Sequence, residues 1–282
     1  MNKERHTYEY DVDPSSFTAP AQAVRLVGLG KRVLEIGCGP GSITKILATQ
    51  SQCEVTGLER DPEAIERVTP YCRQVLHADL EAADWTDKLR DIEKFDVVLA
   101  ADVLEHLYDP WAVLARMKEF INAEGYLVIS VPHAGHAAVL SCLISGEFQY
   151  RDWGLLDRTH IRFFGFKNIE ALFTQAGLKI IDAGYVTKTA EETEFAATWS
   201  QLPSKWQEAL AETPYSQVYQ VVVKAIPLDR PGAAVLLQPP ALQFHRKQAV
   251  VRMKLMTRLR KSIPPRLKQY LRQGFNWLGL SL

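Results

Sequence analysis

Three glycines and one acidic residue mark the stretch of this chain that is best suited to bind a ligand. The glycines stand at alternate positions, 37, 39 and 41, and Glu35 lies two residues before the first of them. Glycine lets the backbone turn sharply and approach a ligand where any Cβ would collide. The residues before the turn form a short apolar strand pattern, and those after it a helical one. The stretch therefore predicts a strand, turn and helix at the ligand-binding crevice of an open parallel α/β sheet.

The spacing excludes two common phosphate-binding loops. A dinucleotide-binding turn needs a third glycine three residues after the second, and Ser42 stands at that position. A P-loop ends in Gly-Lys followed by Ser or Thr, and no such ending follows Gly41. What remains is a turn of glycines preceded by an acid, without a phosphate signature.

Acidic residues also follow the next three strand patterns. Glu59 closes the run Glu54–Glu59, roughly twenty residues past the glycines, where a ribose-binding acid belongs in this architecture. A carboxylate there can accept hydrogen bonds from both ribose hydroxyls. Asp79 follows a short strand pattern and Asp102 an apolar one. The alternative for Glu59 is a surface acid at a strand end, and for Asp79 a plain loop acid.

Strand and helix patterns alternate from Val33 to Val131, which predicts an α/β fold with a parallel, doubly wound sheet. A helix is expected from Pro110 to about Asn122, before a fifth strand at Gly125–Pro132. Two late strands are expected at Leu178–Ile181 and Gln217–Ala225. The segments of about 134–165 and 187–214 interrupt this pattern, and we expect them to be substrate-binding insertions.

Three stretches together carry a family resemblance: the Glu35 and glycine turn, the run Asp102–His106, and His160-Ile161-Arg162-Phe163-Phe164 before a helix. They resemble class I S-adenosylmethionine-dependent methyltransferases of the methyltransferase 23 type, which include ubiquinone-biosynthesis-like and glycan-cluster O-methyltransferases. The resemblance covers about residues 8–226. It implies a Rossmann-like seven-stranded sheet, mostly parallel with an antiparallel edge pair, in a domain ending near residue 230.

The resemblance also implies S-adenosylmethionine as cofactor and a role for each residue around it. Glu59 takes the ribose, Asp79 and Leu80 take the adenine, and Ala101 and Asp102 line the floor beneath the methyl group. The methionine end is held by five residues: Glu35, Gly37, Cys38, Gly39 and Gly41. An acidic lining suits a cationic sulfonium.

A metal site is not expected. In the ubiquinone-type enzymes a Glu-x-x-Glu-His run is linked to magnesium, but here Asp102 replaces the first Glu, leaving Asp102, Glu105 and His106. Imidazole is also a poor ligand for a hard cation that favours oxygen and water. Magnesium therefore remains a disfavoured alternative.

Histidine supplies the candidate catalytic groups. Transfer from a sulfonium is a direct displacement, so the enzyme chiefly aligns the reacting atoms. A hydroxyl acceptor must also lose its proton, which imidazole can take near neutral pH. His106 is the favoured base because it follows the fourth strand, His160 is second, and His133 is a third candidate. Each can instead be a structural histidine.

The favoured acceptor is a hydroxyl on a small molecule or a glycan, either a sugar or a phenol. Methylation of a nucleic-acid base is disfavoured because Val103-Leu104, and not a Pro-Pro-aromatic run, follows Asp102. We expect no nucleic-acid partner. Two rivals stay open: an RNA-modifying or RNA-binding protein of the same fold, and a catalytically silent scaffold that only binds the cofactor.

Charge is distributed unevenly along the chain. It has 33 basic and 33 acidic residues, yet no Asp or Glu follows Pro231, where ten Lys and Arg residues lie. The segment 231–282 is predicted to form basic amphipathic helices that contact an anionic membrane surface. The alternative is that they pack on the acidic body or on a second subunit. The oligomeric state is not predicted.

The N-terminal residues and the cysteines indicate a candidate cofactor flap and a reducing environment. Residues 2–20 are polar and aromatic, and they form either a frayed terminus or a flap whose Tyr8 and Tyr10 close over the cofactor. The four cysteines have no metal-ligand spacing and are expected to be reduced. Without an apolar signal core or membrane span in the sequence, we expect a cytoplasmic protein that can attach peripherally to the membrane.

Overall fold

The computed structural model describes residues 8–240, which fold around a seven-stranded sheet. The strand order is β3-β2-β1-β4-β5-β7-β6. The first five strands pair in parallel, whereas β7 runs antiparallel to both β5 and β6. The predicted fold class is therefore confirmed. The strands are β1 (Arg32–Ile36), β2 (Glu54–Glu59), β3 (Gln74–His77), β4 (Phe95–Ala101), β5 (Ile121–Pro132), β6 (Leu178–Thr187) and β7 (Val218–Pro227).

Eight α-helices accompany the sheet within residues 8–240. Several begin at sequence signals of the expected kind: the Asp61 side chain accepts from Glu63 N–H ahead of α3, and Asp109 accepts from Ala112 N–H ahead of α4. The helices are α1 (Ala19–Val27), α2 (Ser42–Thr49), α3 (Pro62–Val68), α4 (Pro110–Met117), α5 (Ala137–Ile144), α6 (Phe166–Gln175), α7 (Ala196–Gln201) and α8 (Ser204–Ala211).

The sheet is covered on both faces, because neighbouring residues of its central strands enter different apolar cores. In β1, Leu34 belongs to a core shared with α4 and α6, and Val33 to a core shared with α1, α2 and α5. Both side chains are fully buried. This is the reason that the central strands are apolar without alternation, as parallel strands covered on both faces are.

Two element boundaries differ from the prediction. Helix α4 ends at Met117, and β5 begins at Ile121, where the sequence predicts helix through about Asn122. The chain is drawn into the sheet because Ile121 pairs with Phe95 and the Asn122 amide donates to Asp96 over 2.7 Å. Strand β6 also extends to Thr187, six residues past its predicted end, since its polar half pairs with the apolar β7.

The folded body continues beyond residue 230, the predicted end of the domain. Val235 N–H donates to Ile180 O over 2.8 Å, and Leu237 N–H donates to a Glu170 carboxylate oxygen over 2.7 Å. The Leu237 side chain is buried in the core beside α6. The predicted basic helices lie almost entirely in residues 241–282, outside the described residues. Among residues 8–240, no helix has both the length and the apolar content needed to traverse a bilayer.

Candidate active site

A cavity of about 1080 Å³ opens at the carboxyl ends of the parallel strands. This is the crevice where open α/β sheets bind their ligands. The predicted site residues that line it are Glu35, Gly37, Cys38, Gly39, Glu59, Asp79, Leu80, Ala101, Asp102, His106 and His160. Gly41 lies behind this lining as the residue that precedes α2.

The glycine turn needs its glycines for two separate reasons. Gly37 has φ 65°, a left-handed conformation that side chains rarely adopt, and a Cβ there would lie 2.8 Å from a Val103 methyl group. Gly41 has φ 93°, and its Cβ would lie 2.9 Å from a Val68 methyl group. The turn therefore packs its backbone against two neighbouring elements and leaves its open side to the cavity.

Glu59 connects the ends of β1 and β2. One carboxylate oxygen accepts from Gly39 N–H over 2.8 Å, and the other accepts from the N–H groups of Arg60 and Asp61 over 2.8 and 2.9 Å. Three backbone N–H groups therefore hold the two carboxylate oxygens in place. The predicted ribose ligand is thus fixed in position before any ligand binds.

Glu35 is 3% exposed and lies under the glycine turn. The Thr44 hydroxyl donates to its carboxylate over 2.7 Å. Burial raises the pKa of Glu35 from 4.5 to about 8. No cationic side chain offsets this burial in the described contacts of Glu35, and a cationic ligand in the cavity would stabilise its ionised carboxylate.

Asp102 sits in a left-handed backbone conformation with φ 54° directly after β4. Its two carboxylate oxygens accept from the Ser130 hydroxyl over 2.8 Å and from the Gln220 amide over 2.7 Å. Burial raises its pKa, while these two bonds act in the opposite direction. Asp102 lines the cavity, and its carboxyl group is directed at β5 and β7.

His106 ends a short 3₁₀ turn (Leu104–His106) below Asp102. Its Nδ1 lies 2.9 Å from the Thr159 hydroxyl, which donates to Asp157 over 2.7 Å. The ring also contacts that of His160 edge to face, with centroids 4.7 Å apart. The structure therefore brings both predicted catalytic histidines together, although 54 positions of sequence separate them. Burial lowers the pKa of each, to about 4 for His160.

Glu105 completes a buried cluster with these two histidines. It is fully buried, and neither carboxylate oxygen has a hydrogen-bond partner among the described residues. One ligand atom from each of Glu105, His106 and His160 lies within 4.8 Å of the others. Two imidazoles and one carboxylate do not suit magnesium, which prefers oxygen ligands in octahedral geometry. Asp102 is not in this cluster, so the Glu-x-x-Glu-His pattern is not assembled as a unit.

His133 is not brought to the cavity. Its ring packs edge to face on Phe166, with centroids 4.9 Å apart, and also contacts Tyr215. It is 2% exposed, and burial lowers its pKa to about 4. The structure therefore contradicts His133 as a candidate base and makes it a core histidine.

The N-terminal segment lies against the cavity. Tyr8 and Tyr10 both line it, and Tyr10 N–H donates to the Ser42 hydroxyl at the start of α2 over 3.0 Å. Glu9, between the tyrosines, accepts from Arg67 of α3 over 2.7 Å. Residues 8–10 are therefore packed against the folded body, and closure of the two tyrosines over the cofactor stays a prediction.

The two predicted insertions contribute unequally. The first supplies Trp153, Asp157, Thr159 and His160 to the cavity wall. The second supplies Lys188, while its helices α7 and α8 pack on α5 and add no residue to the cavity lining that the structure describes.

Sequence reasoning missed three side chains that hold site residues: Thr44, Thr159 and Gln220. Thr44 lies within an apolar helical pattern, and Gln220 within an apolar strand. Neither carries a local signature: Thr44 is one polar residue of an amphipathic helix, and Gln220 acts through Asp102, 118 positions away. Thr159 stands next to His160, and the spacing Asp157-x-Thr159, which is typical of an Asx turn, is the signal that could have indicated it.

The fold and site define a class I methyltransferase, and comparison with known proteins agrees. The family described as "Methyltransferase domain" matches residues 17–183. This match covers more than half of the chain, and the chain belongs to that family.

Curated relatives and solved structures are similar to parts of the chain. A ubiquinone biosynthesis O-methyltransferase from Coxiella burnetii is 23% identical over 154 residues, which are 54% of this chain and 65% of that protein. One from Haemophilus ducreyi is 30% identical over 128 residues, 42% of this chain and 52% of that protein. A structure of an S-adenosylmethionine-dependent methyltransferase from Archaeoglobus fulgidus has a TM-score of 0.53 at 15% identity, covering 72% of this chain and 89% of that one.

The matches to the curated relatives therefore span between half and two thirds of their length. The structural similarity, at 15% identity, establishes the fold alone. The predicted family and fold are confirmed on these grounds.

Proposed function

We propose that this protein transfers the methyl group of S-adenosylmethionine to a hydroxyl oxygen of a small molecule. The observation that carries the proposal is one continuous cavity with two chemical ends. Its acidic end, built on the glycine turn, suits a cationic nucleoside. Its other end presents imidazoles to an acceptor. The names of the curated relatives, which are O-methyltransferases, support the same reaction.

In this proposal the cofactor lies along the ends of β1 to β4. Glu59 binds the ribose hydroxyls, since its carboxylate is already fixed by three backbone donors. Asp79 and Leu80 lie at the rim for the adenine, and Glu35 lies beneath the methionine end. Ala101 and Asp102 then form the floor under the methyl group. Gly37 and Gly39 allow close approach to the sulfonium.

The acceptor end carries the proton chemistry. A neutral His106 ring can take the proton of an acceptor hydroxyl, and the oxygen then displaces the methyl group from sulfur. His160 lies against His106 and orients the acceptor or the first ring. Burial lowers the pKa of both imidazoles, which keeps them neutral and able to accept a proton at pH 7.

The acceptor class is a phenol or a sugar, and the relatives favour the phenol. Trp153 and Tyr219 give the wall flat apolar faces, and the Lys188 ammonium lies 3.9 Å from the centre of the Tyr219 ring. A glycan acceptor would use the same aromatic faces for stacking on a sugar ring. Turnover with a phenol probe and with a sugar probe distinguishes these two acceptor classes.

The test uses the full chain and begins with binding. Calorimetry with S-adenosylmethionine and with NAD establishes the cofactor; binding of NAD alone would refute the proposal. Turnover is then followed as S-adenosylhomocysteine release and as acceptor mass gain, with 3,4-dihydroxybenzoate as the phenol probe and methyl glucoside as the sugar probe. Methylated probe with the wild type, and none with His106→Gln, is the expected result. Release of S-adenosylhomocysteine without acceptor methylation would argue against O-methylation.

Attachment to an anionic membrane surface through residues 231–282 stays a prediction, since residues 241–282 are outside the described part of the chain. Flotation with phosphatidylglycerol vesicles, comparing the full chain with one truncated after Pro240, tests it. Equal flotation of both proteins would discard the membrane contact.

A further inference from the structure

A chain of two hydrogen bonds runs from a buried carboxylate to the proposed base. Asp157 is 3% exposed, and one of its oxygens accepts from the Thr159 hydroxyl over 2.7 Å. That hydroxyl oxygen in turn lies 2.9 Å from Nδ1 of His106. The inference drawn from this chain rests on the proposed function, because it concerns how His106 is prepared to act.

The direction of both bonds follows from counting hydrogens. A threonine hydroxyl has one hydrogen, and an ionised carboxylate can only accept. The Thr159 hydrogen is therefore used on Asp157, since the opposite arrangement would place two acceptor oxygens 2.7 Å apart. The hydroxyl oxygen then accepts, and the group that donates to it is the Nδ1–H of His106.

This direction settles which ring nitrogen of His106 carries the proton. A neutral imidazole has one N–H, and here it is at Nδ1. In that tautomer Nε2 carries the lone pair that can accept a proton. In histidines that act as bases, the hydrogen bond made by one nitrogen selects the protonation of the other. The groups that face the ring are those of Glu105, Asp157, Thr159, His160 and Arg60.

We propose that Thr159 and Asp157 are positioning residues that hold His106 as the Nδ1–H tautomer for proton transfer. In the step, the acceptor O–H bond breaks and an Nε2–H bond forms. The acceptor oxygen donates its electron pair to the methyl carbon, and the carbon–sulfur pair returns to sulfur, giving S-adenosylhomocysteine. His106 finishes as an imidazolium whose Nδ1–H remains bonded, through Thr159, to the Asp157 carboxylate.

The competing explanation is a purely structural turn. Thr159 N–H also donates to the same Asp157 oxygen over 2.8 Å, which is an Asx turn and stabilises the loop by itself. That explanation predicts no effect of the Thr159 hydroxyl on the His106 ring. Replacement of Thr159 by Val removes the hydroxyl and keeps both the shape and the N–H, so it distinguishes the two explanations.

The tautomer can be measured without an acceptor. Two-bond ¹⁵N–¹H spectra of full-length protein labelled at histidine, dialysed against EDTA and saturated with S-adenosylhomocysteine, distinguish a protonated from an unprotonated ring nitrogen. The His106 signal is assigned from its loss in His106→Gln. We expect Nδ1–H in the wild type and in Thr159→Ser, and a shift toward Nε2–H in Thr159→Val. Thr174→Val on α6 is the matched control and should leave the spectrum unchanged.

Turnover of 3,4-dihydroxybenzoate supplies the second readout. Thr159→Val should lower kcat about 10- to 100-fold, with the KM for S-adenosylmethionine unchanged, and Thr159→Ser should restore most of it. A wild-type ring protonated at Nε2 would overturn the inference, as would Thr159→Val with unchanged tautomer and kcat. An Nδ1–H ring in a protein that methylates no hydroxyl would refute the proposed function and leave the positioning intact. The wild-type spectrum can refute the inference by itself, so the test does not depend on whether a variant folds.

Discussion

The side-chain amide of Gln220 in β7 donates over 2.7 Å to the carboxylate of Asp102, which directly follows β4. Asp102 also accepts from Ser130 of β5, so one carboxylate joins three strands of the sheet beneath the cavity. Its left-handed backbone conformation, with φ 54°, is held by these two bonds. The floor of the site is therefore built by residues far apart in sequence.

Replacing Gln220 tests how much this bond stabilises the fold. Gln220→Leu leaves one oxygen of a buried carboxylate without its donor, which costs about 1–3 kcal/mol of unfolding free energy. Urea denaturation followed by circular dichroism measures the loss. Gln175→Leu, an exposed change of the same kind on α6, should shift the midpoint little. A loss no larger than that of Gln175→Leu would show that water replaces the amide at no cost.

Glu35 predicts a pH dependence of stability in the ligand-free protein. Its folded-state pKa of about 8 lies above the ordinary 4.5, so the folded form binds the proton more tightly than the unfolded one. The stability that this proton contributes is complete below about pH 4.5 and is lost as the pH rises toward 8. Urea midpoints between pH 5 and 9 should fall less steeply in Glu35→Gln than in the wild type. Parallel curves would mean that Glu35 is ionised in the folded protein.

Cofactor binding should release the same proton. A sulfonium or ammonium placed over Glu35 favours the carboxylate, so binding at pH 7 is expected to release most of one proton per cofactor. Calorimetry of S-adenosylmethionine in phosphate and in Tris buffers measures the release from the difference in heat. Glu54→Gln, an exposed change, should release as much as the wild type, and Glu35→Gln should release less. Equal release from all three proteins would place the proton elsewhere.

The sequence predicts the sheet and the cofactor half of the site because both depend on local patterns. The apolar runs, the glycines 37 to 41 and the acids at the ends of β1, β2 and β3 each fall within one strand–turn unit. The acceptor half does not have this property. His106 and Thr159 are 53 positions apart and meet because the first insertion folds back on the sheet.

Contacts between residues distant in sequence also explain why the predictions for His133 and for the start of β5 were wrong. His133 follows a strand end, as His106 does, but the strand it follows continues as backbone pairing with β7, and its ring is enclosed by Phe166 and Tyr215. No local feature of the sequence distinguishes these two histidines. The early start of β5 is also decided by a partner, Phe95, that lies 26 residues away.

Glu59 should contribute strongly to cofactor affinity. Glu59→Gln keeps the shape but replaces one acceptor oxygen and the charge, so it loses charge-assisted bonds to the ribose and to the backbone N–H groups. We expect the affinity for S-adenosylmethionine to weaken by roughly 1.5–3 kcal/mol, which is the value of hydrogen bonds to a charged group. Calorimetry measures it, with the melting temperature as the check that the fold persists. An unchanged Kd would remove Glu59 as the ribose ligand.

The N-terminal flap should respond to salt. The Glu9–Arg67 ion pair, with side chains 39% and 15% exposed, links the segment carrying Tyr8 and Tyr10 to α3. A surface pair of this kind contributes about 0.2–1 kcal/mol and is screened by salt. Glu9→Gln should therefore raise the Kd for S-adenosylhomocysteine about two- to fivefold at low salt, and less at 0.5 M NaCl. A Kd of Glu9→Gln equal to that of the wild type at low salt would show that this ion pair does not contribute to holding the segment over the cofactor.

His106 as the base predicts an acid limb in the turnover of 3,4-dihydroxybenzoate. Burial lowers the pKa of the ring below the usual 6.5, and the Asp157 charge opposes this in part. The protonated ring cannot accept the hydroxyl proton, so kcat should rise with pH through this lowered pKa, and the rise should lie at lower pH than for an ordinary imidazole. His106→Gln should abolish the limb and most of kcat while retaining S-adenosylmethionine binding by calorimetry. If the acid limb persisted in His106→Gln, another group would titrate, and His160, in edge-to-face contact with His106, would be the base to test next.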